Sequence, residues 1–139
     1  MTTSVSQYAA CRLVDDRILT LETEAGRIPD YNGVVVTEDM LLVTDYKAMD
    51  LQLYSRLDGK LLSSHRLESN PIDVCLISKT DVAVCLLDMK IVIVSFKSID
   101  DVKRVKTLNV WTGFNSCDSV AKLNSDKLVV SGRKDDMLY

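Results

Sequence analysis

Residues 33–65 read GVVVTEDMLLVTDYKAMDLQLYSRLDGKLLSSH, which is four short apolar runs separated by polar turns. Runs of this length that are rich in Val, Leu, Thr and Tyr are typical of β-strands. The Asp58-Gly59 pair between the third and fourth runs predicts a hairpin with a type I′ turn, because that turn needs positive φ at both central residues. This stretch therefore predicts a meander of four antiparallel strands.

The same order of apolar runs returns further along the chain. A second copy and the beginning of a third occupy residues 71–77, 82–86, 91–96, 103–108, 117–123 and 127–131. Asn32, Asp73 and Asp118 hold corresponding places, at spacings of 41 and 45 residues. A period of about 40–45 residues with four strands in each copy is typical of β-propeller blades, and the regular spacing favours a propeller over a β-sandwich.

The predicted fold is all-β, with about three four-stranded antiparallel blades that form an incomplete propeller ring. Residues 1–14 are expected to be an N-terminal segment, and residues 15–139 a partial β-propeller. The blades are predicted at roughly 32–70, 73–113 and 117–139, with an outer strand of a preceding blade at 15–25. Because propellers have about four to eight blades, the chain is expected to be a fragment of a parent with about six blades, or to complete a ring with other copies.

The composition is that of a folded globular domain. The chain has 139 residues, 47% of them hydrophobic and 27% charged, and its 17 basic and 20 acidic residues give a net charge of −3. This acidic balance disfavours nucleic-acid binding, which is typical of domains with clustered basic residues and a pI above about 9. No apolar run reaches the roughly 18 residues of a membrane-spanning helix, and residues 1–10 lack the pattern of a signal peptide. A cytoplasmic protein without membrane partners is therefore expected.

The cysteines and the histidine form no recognisable site in the sequence. Cys11, Cys75, Cys85 and Cys117 are widely spaced and lack the CxxC pairs of zinc and redox motifs. Cys75 and Cys85 lie in apolar runs, where free cysteines are expected to pack as small hydrophobic side chains. His65 is the only histidine, and its place in a predicted strand favours a packed or solvated side chain over a catalytic one. No catalytic residue, metal site or cofactor is therefore predicted.

The residues of the first two copies resemble a known blade type. Residues 33–64, with LLVTDY at 41–46 followed by DGKLL, resemble an NHL blade. Residues 70–75 and 81–84 resemble the next blade of the propellers at the C-terminus of TRIM-type, B-box-containing proteins, and the resemblance covers most of residues 15–134. It implies an interaction platform that binds a protein or, in some members, single-stranded RNA. In that family, N-terminal RING and B-box zinc modules supply ubiquitin-ligase activity.

This chain lacks the closely spaced Cys and His residues of those zinc modules, so the resemblance implies a non-enzymatic scaffold that recognises a protein partner. The edges of an incomplete propeller also allow self-association. An RNA-binding NHL propeller is disfavoured, because the basic stretch at 97–106 has no stacking aromatic residue beyond its neighbour Phe96. The other alternative is a fragment of a six-bladed, calcium-dependent lactonase, in which Asn32, Asp73 and Asp118 would be oxygen ligands at the channel.

The partner is expected to bind the loops at one face of the propeller, where loops enter the innermost strand of a blade or join its second and third strands. The loops of the first class contain Tyr31, Asn32, Asp73, Trp111, Phe114 and Asp118, and those of the second contain Tyr46, Lys47, Asp88, Lys90, Arg133 and Lys134. For two sets of these residues, the alternative to partner binding is a structural role. Trp111 and Phe114 would pack between blades, and Asn32, Asp73 and Asp118 would bond to their own loop backbones as Asx turns.

Overall fold

The computed structural model describes residues 10–12, 18–23, 26–110 and 116–133. Within these residues every regular element is a β-strand. The strands are β1 (Ala10–Arg12), β2 (Ile18–Thr20), β3 (Tyr31–Val36), β4 (Met40–Asp45), β5 (Asp50–Ser55), β6 (Leu61–Arg66), β7 (Pro71–Leu76), β8 (Asp81–Leu86), β9 (Lys90–Ser98), β10 (Asp101–Asn109), β11 (Ser116–Asn124) and β12 (Lys127–Arg133). The predicted all-β chain is confirmed, and no described segment is a helix that could cross a membrane.

The strands pair as antiparallel meanders. The first sheet has the order β3-β4-β5-β6, the second has the order β7-β8-β9-β10, and the third consists of β11 and β12. These pairings confirm the predicted succession of hairpins. Strand β7 lies beside both β3 and β11, so the first strands of the three sheets are neighbours and the sheets stand side by side.

Apolar cores lie between neighbouring sheets. The core between the first and second sheets contains Leu42 and Leu53 from one side and Val84 from the other. The core between the second and third sheets contains Ile91 and Val120. Strand β4 is buried along its whole length. Its apolar run Met40–Val43 is typical of a strand that is covered on both faces.

The turn between β5 and β6 differs from the predicted type I′ turn. Of its residues only Gly59 has positive φ, at 73°, and Asp58 does not. The backbone N–H of Gly59 donates to the carbonyl of Ser55 at 2.8 Å, which makes the loop longer than a two-residue hairpin. Gly59 is also packed against β2, so that a Cβ atom at this position would overlap the carbonyl oxygen of Thr20. Glycine is needed here for a close approach as well as for its backbone angle.

The expected N-terminal segment contributes a strand. Ala10 pairs with Thr20 and Arg12 with Ile18, so β1 and β2 form a two-stranded antiparallel sheet. The backbone N–H of Glu22, just after β2, donates to the carbonyl of Gly59 at 2.9 Å. The chain before β3 is thereby attached to the β5–β6 turn of the first sheet.

A β-bulge recurs in the first strand of each sheet. The bulges lie between Tyr31 and Gly33, Pro71 and Asp73, and Cys117 and Ser119. Gly33, Asp73 and Ser119 each follow the bulge directly, so they occupy equivalent positions in the first strands of the three sheets. The predicted alignment of Asn32 with Asp118 holds, whereas Asp73 lies one residue beyond its predicted place. The error has a physical cause: residues 77–81 separate the paired Leu76 and Val82, whereas only residues 37–40 separate the paired Val36 and Leu41, so the spacing between the first strands differs by one residue from the spacing between the second strands.

Candidate functional site

The loops at one end of the sheets are joined by a chain of hydrogen bonds. Tyr46 N–H donates to the carbonyl of Asp30 at 2.8 Å, and the side-chain amide of Asn70 donates to the carbonyl of Tyr46 at 2.8 Å. The backbone N–H of Leu87 then donates to the carbonyl of Asn70 at 2.8 Å. We call the surface formed by residues 30–32, 46–49, 67–70 and 87–90 the loop face. The chain of bonds links the start of β3 to the β8–β9 connection.

Two connections of the loop face have the same backbone form. Met49 and Met89 both have positive φ, at 56° and 68°. Their carbonyl groups accept hydrogen bonds from the N–H groups of Leu67 at 2.7 Å and Val110 at 2.9 Å. A positive φ is uncommon for residues other than glycine and persists where the surrounding structure imposes it. The repetition in two sheets indicates that these loops are held in one conformation.

A buried carboxylate lies beneath the loop face. Asp45, at the end of β4, accepts a hydrogen bond from Arg27 Nη2 at 2.7 Å and another from the backbone N–H of Ala48 at 3.1 Å. Arg27 also lies 3.8 Å from Asp50. A buried carboxylate is tolerated when it is paired and hydrogen-bonded in this way. The pairing attaches the chain before β3 to the β4–β5 connection.

The polar network continues through two tyrosines. Gln52 donates to Asp50 at 2.9 Å and accepts a bond from the hydroxyl of Tyr54 at 2.5 Å. The hydroxyl of Tyr31 lies 2.7 Å from that of Tyr54, whose hydrogen is already given to Gln52, so Tyr31 is the donor. Burial raises the pKa of both tyrosines, and the pKa of Tyr54 lies far above its usual range. The predicted site residue Tyr31 thus directs its hydroxyl into the protein.

Asn32 and Asp73 connect neighbouring sheets. The amide of Asn32 accepts from the hydroxyl of Thr44 at 2.8 Å and donates to the carbonyl of Pro71 at 2.6 Å. Asp73 Oδ2 accepts from the backbone N–H of Val120 at 3.0 Å. These partners belong to the next sheet or to the adjacent strand, so the interpretation of these two residues as local Asx turns is wrong.

Asp118 has partners within the third sheet. One carboxylate oxygen accepts from the hydroxyl of Ser116 at 2.9 Å, and the other accepts from Arg133 Nε at 2.9 Å. The three predicted calcium ligands therefore all have protein partners. No three His, Cys, Asp or Glu side chains lie together as a metal site in the part of the chain that the structure describes.

A disulfide joins the second and third sheets. Cys85 in β8 is bonded to Cys117 in β11, and both are buried. The expectation that Cys85 is a free cysteine is wrong, because the fold brings two residues 32 positions apart into contact. Cys75 is a free thiol whose pKa is raised by burial. By pairing register Cys85 is equivalent to Thr44, whose hydroxyl donates to Asn32 of its own sheet, so a covalent bond to the next sheet stands where the first sheet has a hydrogen bond between two of its own strands.

The remaining predicted site residues have varied surroundings. Lys47 and Asp88 are exposed on the loop face, and Lys90 lies 3.7 Å from Asp88. Tyr46 is half-buried, and both its backbone N–H and its carbonyl are bonded. Arg133 is exposed at the end of β12. Trp111, Phe114 and Lys134 lie outside the described residues.

The polar network beneath the loop face was missed by the sequence interpretation. Asp45 lies at the end of one apolar run and Gln52 lies inside the next. Polar residues buried at such places need hydrogen-bond partners, and this was the signal in the sequence for a buried polar network. Arg27 offered no signal of its own. Its partner Asp45 is 18 residues away, and no local pattern relates the two.

Comparison with known proteins identifies the fold. No family model matches the sequence, and no curated protein matches it. A crystal structure of a protein of unknown function from Bacteroides caccae is similar with a TM-score of 0.67 and 16% identity, over 91% of this chain and 56% of the other. A luciferin-regenerating enzyme is similar with a TM-score of 0.65 and 14% identity, over 94% of this chain and 46% of that enzyme. The chain thus spans about half of each structure and has an all-β, β-propeller-like fold.

Proposed function

We propose that this chain is a non-enzymatic scaffold that binds a protein partner at the loop face. The supporting observation is the chain of hydrogen bonds from Asp30 through Tyr46 and Asn70 to Leu87, which joins loops of the first and second sheets. Loops that are already ordered lose less conformational entropy on binding than mobile loops do. A rigid loop surface of this kind is suited to recognition.

The side chains on the loop face suit a protein partner. Leu87 is 44% exposed, and it lies next to the exposed Asp88, with Lys47 and Lys90 on the same face. An apolar contact surrounded by charges of both signs is the usual composition of a protein interface, with a hydrophobic centre and a polar rim. The mixed charges favour a protein over a polyanion.

The finer assignment of the fold is part of the same proposal. The three sheets are blades of an NHL-like propeller, and the parent ring has about six blades, as in TRIM-type proteins. The neighbouring positions of β3, β7 and β11 support this arrangement, since the first strands of successive blades surround a propeller axis.

The calcium-dependent hydrolase receives less support from the geometry. Both carboxylate oxygens of Asp118 and the amide oxygen of Asn32 already accept hydrogen bonds from protein groups. A calcium ion at these residues would have to displace those bonds, because it needs about six to eight oxygen ligands. Binding of a protein requires no such rearrangement.

The proposal is tested with a triple variant of the loop face, Lys47→Glu with Leu87→Ser and Asp88→Lys. A matched control carries the same substitution types at exposed positions elsewhere, Lys60→Glu with Leu57→Ser and Asp126→Lys. Each tagged chain is cross-linked in extract of the source cells, and captured proteins are identified by mass spectrometry. Proteins that the wild type and the control retain and that the loop-face variant loses are the expected result.

Two outcomes would contradict the scaffold proposal. In the first, the loop-face variant captures the same proteins as the control. In the second, millimolar calcium raises the melting temperature of the wild type and the protein hydrolyses a lactone, which would support the hydrolase instead. Circular dichroism of all three chains checks that the variants are folded.

A further inference from the structure

A groove separates the outer strands of the first and second sheets. It has a volume of about 430 Å³ and lies between β5 and β6 on one side and β9 and β10 on the other. Its apolar lining consists of Leu51, Leu67, Val92, Val94 and Val102, and its polar lining of Ser64, His65, Arg66, Glu68, Lys103 and Arg104. We call this surface the outer groove. It combines an apolar floor with a charged rim.

The rim of the outer groove is positively charged. Arg66, Lys103 and Arg104 are accompanied by a single carboxylate, Glu68, which forms an ion pair with Arg104 across the groove. Arg66 and Lys103 have no ion-pair partner among the residues that the structure describes. The whole chain has a net charge of −3, so this concentration of basic side chains runs against the overall balance. Charge complementarity points to an acidic partner.

The floor of the groove distinguishes between two acidic partners. Single-stranded RNA binds through successive aromatic side chains on which its bases stack, and His65 is the single aromatic side chain among the residues that line this groove. Of the apolar side chains that line the groove, Leu51, Leu67, Val92 and Val94 are buried in the core between the sheets. Val102 is partly exposed, so an aliphatic side chain of a partner packs there. Strands β6 and β10 are at the edges of the described sheets, so their backbones can pair with an extended peptide.

We infer that the outer groove binds an extended acidic segment of a partner protein, with an aliphatic side chain of that segment packed on the floor. Arg66 and Lys103 attract the acidic side chains, and the edge of β6 or β10 pairs with the backbone of the segment. This surface shares Leu67 and Glu68 with the loop face, but neither Arg66 nor Lys103 belongs to that face. Its function therefore does not depend on the proposed binding at that face.

The test uses a fluorescein-labelled synthetic octapeptide of alternating leucine and aspartate, and fluorescence anisotropy as the readout. The full chain is expected to bind this probe about tenfold more tightly than peptides that alternate serine with aspartate or leucine with lysine. The variant Arg66→Glu with Lys103→Glu is expected to lose about tenfold in affinity. Its matched control, Lys60→Glu with Lys122→Glu, has the same net charge and is expected to retain wild-type affinity. A milder pair, Arg66→Gln with Lys103→Gln, replaces the first if that variant does not fold.

Three results would overturn the inference. They are no binding of the leucine–aspartate probe at millimolar protein, an equal loss of affinity in the groove variant and its control, and groove-dependent binding of oligouridine in preference to the peptide. The triple variant of the loop face separates the two proposals. It is expected to bind the octapeptide with wild-type affinity even though it loses captured proteins, so either proposal can fail without the other.

Discussion

Asp73 of the second sheet accepts a hydrogen bond from the backbone N–H of Val120 in the third, with 3.0 Å between Oδ2 and N. The equivalent position in the first sheet is Gly33, where a Cβ atom would lie 3.3 Å from the backbone nitrogen of Val74. The equivalent backbone N–H group of the next sheet, that of Val120 or of Val74, therefore has a different neighbour at each junction. One junction has a carboxylate acceptor, and the other has a close approach of the two strands that glycine permits.

The bond between Asp73 and Val120 predicts a measurable loss of stability. Asp73→Ala is expected to lower the free energy of unfolding by about 1–2 kcal/mol, because a partly buried N–H loses its acceptor. Urea denaturation followed by circular dichroism measures the change. Asp73→Asn is the control, since its amide oxygen can still accept, and it is expected to lose less. Equal stability of the alanine variant and the wild type would show that the bond contributes nothing.

The close packing of Gly59 predicts that its replacement costs more than backbone strain alone. Gly26 and Gly59 have similar positive φ values, 77° and 73°, but a Cβ atom has nothing within 4 Å at Gly26 and overlaps the carbonyl of Thr20 at Gly59. Gly26→Ala is expected to cost about 1 kcal/mol of stability from the left-handed backbone. Gly59→Ala is expected to cost about 1–3 kcal/mol more, because a backbone atom must move. Chemical denaturation compares the two, and equal losses would mean that β2 is not packed on this turn.

The bond between Cys85 and Cys117 predicts that stability depends on redox conditions. Peptide mapping without reductant is expected to recover the two cysteines in one cross-linked peptide pair. Reduction is expected to lower the free energy of unfolding by about 3 kcal/mol, since the cross-link closes a loop between residues 32 positions apart. Cys75→Ser is the control and is expected to retain the effect of reductant. The same melting temperature with and without reductant would argue against the disulfide.

The partial burial of His65 predicts a loss of stability on mild acidification. Burial lowers the pKa of His65 below 6.5, so the folded state favours the neutral ring. Below pH 6.5 the unfolded chain binds a proton at this residue more readily than the folded chain does. The folded state therefore loses stability as the pH falls from 6.5 to the lower pKa that His65 has in the folded state. His65→Gln removes this titration and is expected to lose less stability than the wild type between about pH 7 and 5. Parallel curves for the two proteins over that interval would contradict the prediction.

Much of the fold was predictable because it follows from local patterns. The apolar runs from Gly33 to His65 and their later copies indicated strands and turns, and the strands of all three sheets lie at those runs. Run length and turn residues act within a few positions along the chain, and the sequence displays them directly. The candidate site was less predictable. Lys47 and Asp88 are exposed on the loop face, whereas Asn32 and Asp73 join neighbouring sheets.

The sequence by itself determined that the chain forms β-strands in repeated groups of four. The tertiary structure decided which distant residues meet, including the Arg27–Asp45 ion pair, the Cys85–Cys117 bond and the outer groove. The physical reason is that contacts between sheets depend on strand register, and a single bulged residue shifts that register without altering the run of apolar residues. Strand formation is a local property, but the partner of a side chain in the next sheet is set only when the sheets pack.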